Sequence, residues 1–302
     1  MFNITDNAIN NQIFLPKGVA DFQVWNKPTN AKFVSIFCLG SGGGGGGGMV
    51  GTAVTARRGG GGGGSGAFSL GTFTASQLPD TLFLSVGLGG IGGLGLAVAS
   101  NGGAGALSFV SVRPDNTALN LLLVSGAVAA TGGNSGGNSG TAGVGSTAWA
   151  GSVLNSLGLV TAQAGTSGGA GAISVAATSI TPTTIVCGGP SGGNTSTAAA
   201  FAGGDVIGSG FLNIVPGGAL GALAAAGGNG SDGFLPNLSL TSKNTPTFFT
   251  AGSGGGASVS GQGGNGGAGS YGCGGAGGGV GFTALAGAGG RGGDGLIIIT
   301  AW

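Results

Sequence analysis

Glycine recurs at every third position late in the chain, at Gly263, Gly266, Gly269, Gly272, Gly275, Gly278 and Gly281, and after Ala284 again at Gly287, Gly290 and Gly293. A period of three is that of the polyproline II helix, in which one phase of the sequence lines one face. Such a helix makes no internal hydrogen bonds, so its N–H and C=O groups need water or neighbouring chains. A buried, glycine-lined face therefore implies lateral packing against similar helices, which glycine permits because it carries no Cβ. Two uninterrupted runs, Gly42 to Gly48 and Gly59 to Gly64, come earlier. Alone, they are equally compatible with flexible linkers. The phased stretch is the one that argues for architecture. Collagen shares the period, but nine prolines among 302 residues are far too few for it.

Ordering so much glycine is costly, at roughly 0.5–1 kcal/mol per residue relative to alanine. A lateral hydrogen bond returns only about 0.5–1.5 kcal/mol net, so the arrangement must be extended and multilayered. Disorder is disfavoured by a net charge of +1 and a hydrophobic content of 41%, the reverse of the usual disordered composition. No helical spacing of apolar residues is sustained, and strands are expected at Lys32–Leu39, Thr81–Val86, Leu107–Val112, Leu121–Val124, Thr184–Cys187 and Phe211–Val215. The first of these has apolar residues on both faces and is expected to be buried on both sides. The fold class is thus mainly β and irregular: a small β core plus stacked polyglycine II helices, essentially without α-helix. Residues 1–40 read as an N-terminal strand and attachment segment, and 41–302 as a glycine-rich body closed by a strand at 295–302.

The chain has no His and no Glu. Triads using an imidazole, His-bearing zinc sites and His acid–base chemistry are excluded. Cys38, Cys187 and Cys273 are too far apart and too few for a thiol cage, and read as buried free thiols. Gly-x-Gly-x-x-Gly matches such as Gly87, Gly89 and Gly92 follow from composition, with no helix behind them to receive a phosphate. We therefore expect no enzyme activity, cofactor or metal. Eight Lys and Arg against seven Asp provide no field for nucleic acid. Arg57-Arg58, the only basic doublet, reads as a solvated turn or an inter-subunit contact. The longest apolar window, Ala118–Ala130, is too short to span a membrane, and the first residues lack the pattern of a signal peptide.

Three segments, VWNKPTNAKFVSIFCLGSGGGGGGG (24–48), LFLSVGLGGIGG (82–93) and GAGGRGGDGLIIITAW (287–302), resemble the glycine-rich proteins of tailed phages that form tail fibres or tail tips. The resemblance implies that the first and last strands pair in a β core and that the glycine runs form a sandwich of polyglycine II helices. It also implies a virion protein, assembled in the host cytoplasm. Its partners would be other virion proteins, further copies of itself and a bacterial surface receptor met by loops, as in the T-even-type fibre-tip adhesins that it is similar to.

Ser231–Thr250, with a single glycine, is the best candidate contact loop, through Phe234, Asn237, Lys243, Phe248 and Phe249. A small hairpin filling the core with those Phe residues is an equal alternative. Trp149 is a further candidate contact, whereas Trp25 and Trp302 lie beside strands and read as core. Alternative functions are a capsid decoration or head-fibre protein and, lower, a glycine-rich ice-binding protein.

Overall fold

The computed structural model describes residues 10–18, 22–51, 57–96, 99–126, 129–135, 159–171, 178–180, 185–196, 199–208, 214–221, 226–233, 249–282 and 285–302. Along the chain lie β1 (Asn10–Phe14), β2 (Gln23–Asn26), β3 (Phe33–Leu39), β4 (Val50–Gly51), β5 (Phe68–Thr74), β6 (Thr81–Ser85), β7 (Phe109–Ser111), β8 (Leu121–Val124), β9 (Leu159–Gln163), β10 (Thr178–Ile180), β11 (Val206–Gly208), β12 (Gly281–Phe282) and β13 (Leu296–Ala301). One 3-10 turn, Ala75–Gln77, follows β5, and there is no α-helix among the described residues.

The two larger sheets make a sandwich. In the first the order is β1-β13-β3-β5-β9, in the second β2-β6-β7-β8, and every pairing within them is antiparallel. The C-terminal strand thus lies between the two N-terminal strands, with Ile299 opposite Ile36 on one side and Gln12 on the other. Alternation does the rest. Val34, Ile36, Cys38, Phe73, Ile297 and Ile299 point inward and pack with Trp25, Leu82, Leu84, Val110 and Leu123 of the second sheet. On the other face of β3, Phe33 is exposed and Ser35 half-buried, while Phe37 packs against a second cluster that holds the fully buried Leu39, so this strand is dry on both sides only toward its C-terminal end. Trp25 is a core residue, whereas Trp302 stays 38% exposed and stacks on Phe33 at 6.0 Å.

At the far end of the sandwich, Lys27 ties β2 to the 3-10 turn. Its Nζ donates to the carbonyls of Ala75 (3.1 Å) and Leu78 (2.7 Å) and pairs with Asp80 at 3.0 Å. Lys27→Met keeps the apolar stem but takes the donor from the Leu78 carbonyl and leaves the Ala75 carbonyl with only the Leu78 amide at 3.3 Å. It is expected to lower unfolding stability by about 1–3 kcal/mol in urea titrations.

The expected strands at 32–39, 81–86, 107–112 and 121–124 are present as β3, β6, β7 and β8. Those expected at 184–187 and 211–215 are not found in the described residues: 185–187 is irregular, and Val215 makes a single bridge to Val206. The remaining residues of those two segments, Thr184 and 211–213, lie outside the described residues.

Beneath the sandwich, β3 runs directly into residues 40–48, which are buried throughout. Their amides turn by thirds. Gly42, Gly45 and Gly48 donate to Gly293, Gly290 and Gly287; Gly43 and Gly46 to Gly64 and Gly61; Gly44 and Gly47 to Gly103 and Ser100. Their carbonyls turn likewise, accepting from Gly90 and Gly93, from Gly133, and from Gly275 and Gly278. The run is therefore ringed by six others. Partner numbers fall along the three runs that accept, which are antiparallel to it, and rise along those that donate, which are parallel.

Runs 272–281 and 251–258 are enclosed in the same way and complete a buried central row. No phase of such a run faces solvent, which is why a Cβ built on any of Gly42 to Gly48 would overlap a neighbour's backbone carbonyl. The three-residue phase from 263 to 293 is not one helix face. It passes through a reversal at Tyr271–Gly272, where Gly272 adopts φ +68°, a conformation that disfavours any side chain. The phase is shared among three separate runs, 262–270, 272–281 and 285–294.

Candidate functional site: the outward rows of the array

Runs 226–233, 262–270, 285–294 and 87–95 lie side by side, each donating backbone hydrogen bonds to the next: Gly230 to Asn265, Gly266 to Ala288, and Gly289 to Gly93. They cover one face of the central row, with two phases turned inward and one outward. The outward phase holds the largest side chains of these runs, Asn229 and Asp232, Gln262 and Asn265, Leu285, Arg291 and Asp294, and Leu88, Ile91 and Leu94, together with Ala268 and Ala288. The glycine period draws attention to the glycines and away from the positions between them. The missed signal is that they are the surface.

Two features stand out on this face. The first is an apolar row in which Ile91 is 73% and Leu94 59% exposed, continued by Leu96. The second is a recurrent clasp made by Asx–Gly pairs. Asn229 Oδ1 accepts the N–H of Asn265 (2.9 Å) while the next amide, Gly230, donates to the carbonyl of that same residue (2.8 Å). Asp232–Gly233 grips Ala268 identically, and Asn265–Gly266 grips Ala288. Asp294–Gly295 spans Gly87 and Gly89, and Asn101–Gly102 spans Gly133 and Ser135. Each clasp satisfies an outward amide for which the array supplies no further run, as a backbone donor at the rim requires.

Of the expected contact residues, Phe234, Asn237, Lys243, Phe248 and Trp149 lie outside the described residues. Phe249 is a core residue, not a contact: it is fully buried with Leu39, Val186 and Leu296, and meets Tyr271 edge-on at 5.8 Å. The structural glycines Gly263, Gly266, Gly269, Gly275, Gly278, Gly281, Gly287, Gly290 and Gly293 all abut a neighbour's carbonyl, whereas Gly272 abuts the Leu39 side chain. Arg57 sits in a backbone bridge with Thr195, and both Arg57 and Arg58 are half-buried.

Cys38, Cys187 and Cys273 are free and buried. Burial pushes the Cys38 thiol far up, and pushes the Cys273 thiol well up with help from Cys187 beside it. Cys273 donates to the Phe249 carbonyl at 3.1 Å. Because all three thiols are buried, and only the thiolate is reactive at Cys38 and Cys273, alkylation is expected to fail on the folded protein up to mildly alkaline pH and to label all three in denaturant, as mass spectrometry would register.

Among the described residues no group of three or more His, Cys, Asp or Glu could hold a metal ion, and no helix is long and apolar enough to cross a membrane. No protein-family model matches the chain, and no curated protein matches it.

Proposed function

We infer that this chain is a non-enzymatic structural component of a phage virion, a tail-fibre or tail-tip protein whose runs are polyglycine II helices. The observation that carries this reading is the complete enclosure of residues 40–48 by six hydrogen-bonded runs, with bonds turning by thirds along the chain. That rotation is what a helix of three residues per turn requires. A body bonded laterally in every direction suits a rigid, protease-resistant element better than a catalyst. The segments that resemble phage proteins correspond to β2, β3 and run 40–48, to β6 and run 87–95, and to run 285–294 with β13.

The apolar row at Ile91 and Leu94 is the surface through which further virion proteins or further copies would pack. An ice-binding role is disfavoured, because the outward rows mix Leu, Arg, Asn and Asp where a flat Thr/Ala face is needed.

Locating the chain in a virion map tests the reading. Density at the tail tip or fibre supports it, density on the capsid lattice replaces it with a decoration protein, and absence from purified particles overturns it. Ile91→Asp is expected to reduce incorporation into particles while leaving the purified chain folded.

A further inference from the structure

The Asx–Gly clasps have a chemical consequence. Asn–Gly dipeptides lose ammonia by attack of the glycine nitrogen on the asparagine carboxamide. The nitrogen gives up its proton and bonds to Cγ, the Cγ–NH2 bond breaks, and ammonia leaves. Water then opens the resulting succinimide to Asp or to isoaspartate. The step needs a free glycine nitrogen and a carboxamide able to swing over it.

At three positions both are committed elsewhere. Gly102, Gly230 and Gly266 donate to Gly133, Asn265 and Ala288 at 2.8–2.9 Å, while Asn101, Asn229 and Asn265 accept from Ser135, Asn265 and Ala288 over the same range. All three Asn are exposed, so burial does not protect them.

We propose that Asn101, Asn229 and Asn265 are deamidation sites held inert by the clasp, a device that keeps the outer runs in register over the lifetime of the folded chain. Hydrolysis to Asp would preserve the clasp, since Asp232 and Asp294 already form it. Hydrolysis to isoaspartate would insert a methylene into the backbone and displace every later residue of the run from its partner. The proposal does not depend on the virion reading.

The test incubates the protein at alkaline pH, folded and in guanidinium, and follows the one-dalton gain at each Asn by peptide mass spectrometry. The three Asn–Gly sites are expected to convert in denaturant and to persist when folded. Conversion at equal rates in both samples overturns the proposal. Ala288→Pro separates the clasp from general rigidity. It removes the amide that Asn265 holds, and proline's φ suits an extended run. Asn265 should then convert several-fold to about tenfold faster, the change that losing one hydrogen bond makes to a local opening equilibrium, with Asn101 and Asn229 unchanged. An unaltered Asn265 rate in that variant also overturns it.

Discussion

Gly45→Val is expected to leave no cooperatively folded protein. Gly45 donates to Gly290, accepts from Gly93, and would drive any Cβ into the carbonyl oxygen of Ala276, so a single residue touches three different runs. None of these neighbours can yield as a side-chain tip would, because each obstacle is backbone already bonded to another run. Ala276 donates to Gly267 and accepts from Gly290, so displacing it passes the error outward through the array. A loss beyond about 4–5 kcal/mol, at the extreme for single substitutions, is the expected scale. Against a total stability of roughly 5–15 kcal/mol this removes a third of the stability at the top of the range and nearly all of it at the bottom, before the knock-on displacement of Ala276 and its partners is counted. Even Gly45→Ala should be severe, since the clash begins at Cβ. The matched control is Ile91→Val, 73% exposed on an outward phase, which should stay within about 0.5 kcal/mol of wild type. Circular dichroism melts of the three proteins decide the matter: near-equal midpoints for Gly45→Ala and Ile91→Val would mean that the central run is not enclosed.

The contrast between these two positions explains what could be read from the sequence. A run with one outward phase keeps a period, as Leu88, Ile91 and Leu94 do, or Asn229 and Asp232. An enclosed run that is glycine at all three phases has no period to detect and looks like a linker. Gly42 to Gly48 therefore seemed the least informative stretch, although it is the centre of the array. The phase from 263 to 293 pointed to stacking, but not to the reversal at Tyr271–Gly272, since a turn that keeps the phase leaves no gap in it.

Strands with a strong apolar signal, such as Val34, Ile36 and Cys38 of β3, could be placed from sequence alone. Polar β1, reading NNQIF, could not, because its reason to be a strand lies in Ile297 to Ile299 at the other end of the chain. The same holds for the clasps: Asn229 followed by Gly230 is unremarkable until Asn265 stands beside it. For Phe249 the polar stretch before it left contact and core equally open, and it packs in the core with Leu39, Cys187 and Cys273.

The pairing of β13 between β1 and β3 makes the other large prediction possible. Ile299 is fully buried in the sandwich core, opposite Ile36 and Gln12. Ile299→Asp places a carboxylate in the cluster that holds Ile36, Phe73 and Leu84, which offer no donor, while Gln12, opposite on β1, offers a neutral amide but no positive charge. An uncompensated charge there is expected to cost at least about 4–5 kcal/mol at neutral pH, and the group should escape part of that cost by taking up a proton. Its folded pKa would then lie above the unfolded value of about 3.9, so the folded state binds more protons between the two values and stability falls as pH rises through that window. The variant should accordingly be most nearly rescued at about pH 4, where only the smaller penalty of burying a neutral carboxyl remains. Ile299→Val, which removes one methylene, should cost about 0.5–1.5 kcal/mol at any pH. Urea titrations of both variants across the acid range carry the test: a deficit for Ile299→Asp that does not grow between acid and neutral pH would place residue 299 in contact with solvent and β13 at an edge of the sheet, not at its centre.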